Sequence, residues 1–133
     1  MYTIIEVANT HGGDIKYLES LIDEFSEIKN NVGIKFQPFK YDQVALDDFE
    51  WYPVYQKLFF SEEEWEGIIN KSNETKDVWL DLFDAYGIDI LKNNIDSIAG
   101  IKFQTSVLDN HTILNSLKEL DLKNKKLIIN IAG

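Results

Sequence analysis

Five short apolar runs recur along the chain. Each run is rich in Ile, Val, Leu or Phe, which is typical of strands that are buried on both faces. They lie at residues 2–8, 32–39, 78–84, 100–107 and 126–132. The segments between them have helical spacing of apolar residues. Because strands that alternate with helices form parallel sheets with right-handed crossovers, this order predicts five parallel strands and four intervening helices.

The helical segments carry recognisable N-terminal signals. They cover about residues 15–28, 61–69, 86–94 and 110–120. Asp14 stands where it can cap the first helix, and Asn110 opens the fourth. Ser61-Glu62-Glu63-Glu64 is a capping-box pattern, with acids at the positive end of the helix dipole. These signals predict where the helices begin.

One segment breaks the alternation of strands and helices. Residues 40–60 place seven aromatic side chains among four acids. Such a segment can be a packed loop whose aromatic rings cover an edge of the core, or a lid or interaction surface after the second strand. We expect packing to be its main role.

The length and composition narrow the class of protein. The 133 residues, 15.4 kDa, indicate one domain with a real core, but a complete (βα)8 barrel needs about 250 residues. With no cysteine, disulfides and thiolate sites are excluded. The two histidines, His11 and His111, cannot form a three-histidine zinc site within this chain.

The charge balance limits the ligands and partners. The net charge of −10 argues against nucleic acid as a partner. All 13 basic residues are lysine, so a bound phosphate or carboxylate would need lysine, backbone N–H groups or neutral donors. No basic leader and no apolar stretch of about 20 residues is present, so we expect a cytoplasmic protein without a membrane partner.

The pentapeptide Gly-Ile-Lys-Phe-Gln occurs twice, at residues 33–37 and 100–104, on the second and fourth predicted strands. It places Lys35 and Lys102 in apolar strands, where a lysine is costly unless it is paired or used. In a barrel, alternate strands contribute to the same interior layers, so the two lysines would meet near the axis. They could hold a doubly charged anion such as phosphate, which we favour, or pair with buried acids such as Glu6 or Asp81.

A turn rich in polar residues follows the first strand. Glu6 ends that strand, and Gly12-Gly13 permits a tight turn into a helix N-terminus, which is a natural anion site. His11 lies in this turn, where a single histidine is more often a structural hydrogen-bonding group than a ligand. The turn on its own is weak support for a site.

Two acids flank the end of the third predicted strand. Asp81 and Asp84 stand where barrel acids bind sugar hydroxyls or act as general bases. Asp84 could instead cap the helix that follows. His111, which comes after the fourth strand, is expected to be structural.

These residues together resemble the sialic acid synthase family. Glu-Val-Ala-Asn-Thr-His-Gly-Gly-Asp at 6–14 is similar to the family's Glu-Ile-Gly-x-Asn-His-x-Gly-Asp opening. Lys-Phe-Gln at 35–37 matches its second strand, and Phe-Asp at 83–84 matches the end of its third. Lys102, Thr105 and Asn110 stand where the family has Lys-Ile-x-Ser and a later Asn. The resemblance runs through the whole chain in order.

The resemblance implies a fold and a place within a larger protein. It implies an α/β fold that is a partial (βα)8 TIM barrel of about five parallel strands with four intervening helices. Residues 1–133 would form a single domain. That domain would be the N-terminal part of a synthase-like barrel, without its C-terminal half and without the family's small antifreeze-like domain.

The resemblance also implies an activity. The family condenses phosphoenolpyruvate with an N-acetylhexosamine such as N-acetylmannosamine and releases phosphate. A divalent metal, Mn²⁺ or Mg²⁺, polarises the open-chain aldehyde of the sugar. By resemblance, Lys35 and Lys102 would hold phosphoenolpyruvate, with Gln37 and Thr105 as hydrogen-bonding helpers.

Further residues are implied at the barrel mouth. Glu6 and His11 would be the catalytic residues near the sugar. Asp81 belongs to the substrate-binding set by position, but it replaces a threonine of the family and brings a negative charge to an anion site.

Other departures put activity in doubt. Thr10 replaces an asparagine of the family, and residues 130–133 lack its Ser-Thr-Gly signature. The family's metal-binding histidines come from later strands, so we expect this chain to hold no metal. We therefore predict that the 133-residue polypeptide alone is not a competent synthase.

Two other functions stay open. A Schiff-base aldolase would use Lys102 or Lys35, with its pKa depressed by the other cation. A non-catalytic remnant would serve as a binding or assembly module. The first and fifth strands of a half barrel are unpaired edges, so homo-oligomers are expected through them. The sequence does not predict which hexosamine is used.

Overall fold

The chain folds into a five-stranded parallel sheet with helices between the strands. The computed structural model describes residues 1–29 and 31–131. The strands are β1 (Thr3–Glu6), β2 (Val32–Phe36), β3 (Asp77–Leu82), β4 (Ile98–Phe103) and β5 (Lys126–Ile129), and they pair in the order β1-β2-β3-β4-β5. The sheet curls into half a barrel. The predicted α/β fold, a partial TIM barrel, is confirmed.

Four main helices connect the strands, as predicted, and three shorter ones accompany them among the described residues. They are α1 (Ile15–Ser26), α2 (Tyr41–Val44), α3 (Tyr52–Leu58), α4 (Glu62–Asn73), α5 (Ala85–Asn93), α6 (Thr105–Leu108) and α7 (His111–Lys118), with a 3₁₀ turn at Ile95–Ser97. The expected strand at 100–107 is wrong in its last residues, because β4 ends at Phe103 and α6 follows. The predicted fifth run includes Ala132, which, like Gly133, lies outside the described residues.

The predicted caps are present. The Asp14 carboxylate accepts hydrogen bonds from the first backbone N–H groups of α1 at 2.9 and 3.1 Å. Ser61 and Glu64 form a reciprocal capping box at the start of α4. Asn110 caps α7 through its side-chain oxygen. Each side chain satisfies helix N–H groups that have no partner within the helix.

The hydrophobic core lies between the outer face of the sheet and the helices. Ile34 of β2, Leu80 of β3 and Ile101 of β4 point outward and are buried. Leu18 of α1 and Ile69 of α4 belong to the same cluster. Because successive side chains of a strand point to opposite faces, the residues between these apolar positions face the interior of the half barrel.

The interior face is built around Trp79 on β3. Its indole lies across Gly33 of β2 and Gly100 of β4, and a Cβ atom at either position would lie 2.6 or 2.4 Å from the ring system. The indole N–H donates to the Tyr2 hydroxyl at 2.8 Å, which donates to Asp77 at 2.8 Å. The two glycines of the repeated pentapeptide therefore make room for one large side chain.

The aromatic insertion packs against the body of the protein. Between ring centroids, Phe59 lies 5.4 Å from Tyr86 on α5, and Phe60 lies 5.5 Å from Trp65 on α4. This confirms the expected packing, although the segment contains α2 and α3 rather than a simple loop. Phe49 and Trp51 stay about half exposed, at 46% and 55%.

The outer strands of the sheet are β1 and β5. In the part of the chain that the structure describes, β1 and β5 each pair with one strand. Leu127 and Ile129 on β5 are exposed. Self-association through these edges stays a prediction. Within the same residues, no helix is long and apolar enough to cross a membrane.

Candidate functional site

A cluster of charged side chains occupies the interior face near the carboxyl ends of the strands. We call it the Asp81 cluster: Glu6 of β1, Lys35 of β2, Asp81 of β3, Lys102 of β4 and Gln104, which directly follows β4. The register pairs Glu6 with Lys35 and Asp81 with Lys102. Parallel strands end at the same edge, so the cluster lies where barrel enzymes have their active sites.

Asp81 is the centre of the cluster. It is completely buried, and its Oδ2 accepts a hydrogen bond from the Lys102 ammonium at 2.7 Å and a longer one from Lys35 at 3.4 Å. The two lysines thus converge from alternate strands, as the repeated pentapeptide predicts. Of the two interpretations of these lysines, the structure shows pairing with acids, of which Asp81 is buried as expected and Glu6 is exposed. Binding of a separate anion by the same lysines stays a prediction.

Gln104 completes the environment of Asp81, and sequence reasoning gave it no separate role. Its amide nitrogen donates to both carboxylate oxygens of Asp81, at 3.1 and 2.9 Å. Its amide oxygen accepts from Asn130 at 3.0 Å, and the Thr105 hydroxyl donates to the Asn130 carbonyl at 2.9 Å. The available signal was its place two residues after Lys102, which puts both on the same side of the strand.

The other side of the cluster reaches the solvent. Lys35 forms an ion pair with Glu6, whose side chain is 41% exposed, whereas the Lys35 side chain is only 6% exposed. The Gln37 amide lies 3.5 Å from Glu6 Oε1, at the limit of a hydrogen bond. Glu6 and Gln37 therefore form a rim, and the Lys35–Asp81 pair lies beneath it.

The charges of the cluster cancel. Two ammonium groups face two carboxylates, so the cluster as built has no net charge. Burial alone would lower the pKa of Lys102, but the hydrogen bond and the charge of Asp81 outweigh it and raise that pKa above its ordinary value. A Schiff-base lysine needs a lowered pKa, and the expectation of a depressed value is wrong for Lys102.

His11 has a structural environment in the turn after β1. It is 3% exposed, its Nδ1 accepts a hydrogen bond from the Gly13 N–H at 3.0 Å, and its ring lies 4.7 Å from that of Phe60. Burial lowers the pKa of His11, which favours a neutral imidazole. Gly12 and Gly13 have φ angles of +59° and +80°, so the predicted tight turn is confirmed.

Asp84 is used as a cap. Its carboxylate accepts hydrogen bonds from the N–H of Gly87 in α5 at 2.8 Å and from that of Lys40 at 2.7 Å. Burial raises the pKa of this carboxyl, against the opposing effect of these two hydrogen bonds. The capping interpretation of Asp84 is confirmed.

The described residues offer poor ligands for a divalent cation. Within residues 1–29 and 31–131, no three His, Asp or Glu side chains are grouped so that they could hold a metal. Both oxygens of the buried Asp81 carboxylate already accept from Gln104, and its Oδ2 also faces two ammonium groups. The donor set of the cluster therefore does not fit Mn²⁺ or Mg²⁺.

Comparison with known proteins rests on structure. No protein-family model matches the chain, and no curated protein sequence matches it. Among solved structures, a spore coat polysaccharide biosynthesis protein E from Chromobacterium violaceum matches with a TM-score of 0.80 at 18% identity. The match covers 99% of this chain and 41% of that one.

Two further solved structures have the same arrangement. N-acetylneuraminic acid (sialic acid) synthetase from Leptospira borgpetersenii, crystallised in complex with citrate, matches with a TM-score of 0.79 at 21% identity, over 99% of this chain and 45% of that chain. A spore coat polysaccharide biosynthesis protein from Bacillus subtilis matches with a TM-score of 0.67 at 22% identity. That match covers 99% of this chain and 36% of that chain. At these identities the likeness establishes the fold, and this chain spans less than half the length of each protein.

Proposed function

We propose that this chain is the N-terminal half of the barrel of a sialic-acid-synthase-like protein. We further propose that the Asp81 cluster is the end of its active site that faces phosphoenolpyruvate. Support comes from the likeness in fold to a sialic acid synthetase and to spore coat polysaccharide biosynthesis proteins. The sequence resemblance at residues 6–14 and 35–37 supports the same assignment.

The observation that carries the proposal is the convergence of two lysines. Lys35 and Lys102 come from β2 and β4 and bring their ammonium groups to one point, within 3.4 and 2.7 Å of the same oxygen. Phosphoenolpyruvate carries a phosphate and a carboxylate, and two converging cations suit such a ligand. The site lies at the carboxyl ends of the strands, as barrel active sites do.

The proposed reaction forms one carbon–carbon bond. The methylene carbon of phosphoenolpyruvate attacks the aldehyde carbon of an open-chain N-acetylhexosamine, water adds at C2, and the bond from C2 to the phosphate oxygen breaks. Lys35 and Lys102 would hold the phosphoenolpyruvate, with Gln37 and Thr105 as donors. Glu6 is accessible at the rim, where it could accept or deliver a proton at the sugar.

The resemblance gives His11 a catalytic role near the sugar, and in this proposal the neutral imidazole, whose Nδ1 accepts from Gly13, would donate one hydrogen bond there through Nε2–H. Because the described residues do not fit a divalent metal, we derive no step through one. The proposal therefore includes the expectation that the 133-residue chain alone does not complete the reaction.

Thermal unfolding tests the ligand assignment. We expect millimolar phosphoenolpyruvate to raise the Tm of the chain, and Lys102→Met to abolish that shift. Lys92→Met removes the same charge from an exposed position on α5 and should leave the shift intact. A shift that survives Lys102→Met, or no shift in the wild-type chain, would contradict the assignment.

Turnover tests the expected inactivity. Incubation of the purified chain with phosphoenolpyruvate, N-acetylmannosamine and Mn²⁺ should release no phosphate above the rate without protein. Release that depends on both substrates and on Lys102 would overturn the proposal that further parts of a barrel are needed.

A second candidate is a non-catalytic binding module with the same fold. The observation that favours it is the buried Asp81, which cancels charge where an anion should bind. The reading frame beyond Gly133 separates the two candidates. A continuation that encodes histidines on later strands supports the synthase, and a stop codon directly after Gly133 supports the module.

A further inference from the structure

The buried carboxylate of Asp81 stands where two cations would otherwise be free for a ligand. Its side chain has no exposure, whereas the Lys102 side chain is 18% exposed. A ligand that approaches from the solvent therefore meets the partly exposed Lys102 before it meets the buried Asp81. The ammonium groups of Lys35 and Lys102 are already directed toward this carboxylate.

Gln104 holds the carboxylate in place. Hydrogen bonds from its amide nitrogen reach both Asp81 oxygens, and Asn130 fixes the orientation of that amide through its other end. An arriving anion would have to draw the lysines away from a carboxylate that is fully hydrogen-bonded. It would also lie close to a like charge in a buried environment, where such repulsion is strong.

We propose that Asp81 is a built-in anionic ligand of Lys35 and Lys102, and that this residue determines how strongly the site takes a phosphate-bearing ligand. With Asp81 present, a phosphate is held weakly, chiefly through the accessible Lys102. With a neutral residue at position 81, Lys102 loses its carboxylate partner and Lys35 keeps only the accessible Glu6, so the site binds phosphate more tightly. Only the identity of the natural ligand rests on the proposed function, since inorganic phosphate tests the cluster itself.

Calorimetric titration of the 133-residue chain with inorganic phosphate at low ionic strength tests this proposal. We expect Asp81→Asn to bind phosphate at least about tenfold more tightly than the wild-type chain, because neutralising one nearby buried charge is worth that much or more. The matched control is Asp77→Asn, which changes the net charge equally. Asp77 is on the same strand and face, but it is exposed and pairs with Lys126. It should leave the affinity unchanged.

A further variant tests whether the added affinity for phosphate depends on Lys102. In the double variant Asp81→Asn/Lys102→Met, the gain should disappear, because one of the two cations is gone. If a folded Asp81→Asn chain binds phosphate no more tightly than the wild type, or if Asp77→Asn gains as much, the proposal is wrong.

Asp81→Asn leaves the buried Lys35 and the partly buried Lys102 with one acid fewer, so its folding is checked first by circular dichroism. If Asp81→Asn does not fold, the proposal is tested with Glu6→Gln instead. Glu6 is the other acid of the cluster, and its side chain is 41% exposed. A folded Glu6→Gln chain should bind phosphate several-fold more tightly than the wild type. An unchanged affinity would overturn the proposal.

The outcomes separate this inference from the proposed function. If Asp81→Asn gains phosphate affinity but neither chain prefers phosphoenolpyruvate to phosphate, the inference stands and the proposed ligand fails. If the wild-type chain binds phosphoenolpyruvate through Lys102 and Asp81→Asn binds it no better, the proposed function stands and the inference fails.

Discussion

The two copies of Gly-Ile-Lys-Phe-Gln lie on either side of β3 and start from the same geometry. In each copy the glycine makes room for Trp79, and the lysine reaches Asp81. The copies then diverge. On β2, Lys35 also forms an ion pair with Glu6, and the Gln37 amide makes only a 3.5 Å contact with Glu6 at the rim.

On β4 the same pentapeptide has a different environment. Lys102 pairs with Asp81 at 2.7 Å, and Gln104 donates to both Asp81 oxygens while it accepts from Asn130. The difference comes from the neighbouring strand. β2 lies beside the edge strand β1, which offers an acid, and β4 lies beside β5, after which comes an amide. An identical sequence therefore acquires its role from the strand next to it.

Removal of the shared partner should have the largest effect. Asp81→Ala removes the acid that the buried Lys35 and the partly buried Lys102 share, and we expect a loss of about 3–5 kcal/mol in the free energy of unfolding. Urea denaturation measures it. Asp77→Ala, on the same strand but exposed, should cost less than about 1 kcal/mol. Similar losses for the two variants would contradict the central place of Asp81.

The glycines offer the next test. A Cβ at Gly100 would lie 2.4 Å from ring carbons of the buried Trp79, so Gly100→Ala should cost up to about 3 kcal/mol. At Gly33, one of the two atoms at 2.6 Å is the hydroxyl of the more exposed Tyr2, which can move. We expect Gly33→Ala to lower the Tm by less than Gly100→Ala does. A larger loss for Gly33→Ala would show that Trp79, rather than Tyr2, gives way.

The glutamines should show the smallest effect and the clearest divergence. Gln104→Leu removes two hydrogen bonds to a buried carboxylate and should cost about 1.5 kcal/mol. Gln37→Leu removes one long contact at the rim and should stay within about 0.5 kcal/mol. Chemical denaturation of the two variants measures the difference. Equal costs would mean that the copies are equivalent despite their different neighbours.

Much of the fold follows from local patterns. Apolar runs and helical stripes predict the five strands and four main helices, and single side chains such as Asp14 and Ser61 predict where helices begin. The boundary after β4 is less visible, because the apolar run continues into α6, where Val107 is buried on a helix instead of a strand. Periodicity over so few residues does not distinguish the two.

The site was only partly predictable, for a physical reason. Repetition of a pentapeptide on alternate strands predicts that Lys35 and Lys102 meet. The choice between a separate anion and Asp81 depends on the register of β3 against both neighbours, which no local pattern encodes. The role of Gln104 depends on Asn130, which lies 26 residues further along the chain, after β5.

A double-mutant cycle on Asp81 and Lys102 tests the central claim most directly, through the free energies of unfolding of Asp81→Asn, Lys102→Met and the double variant. In the wild-type background Lys102→Met should be destabilising, because it leaves Asp81 with one cation fewer. In the Asp81→Asn background it should cost nothing or stabilise, because it removes a lysine that has lost its partner. We predict a coupling of about 1.5 kcal/mol or more. Effects that add to within about 0.5 kcal/mol would contradict the account.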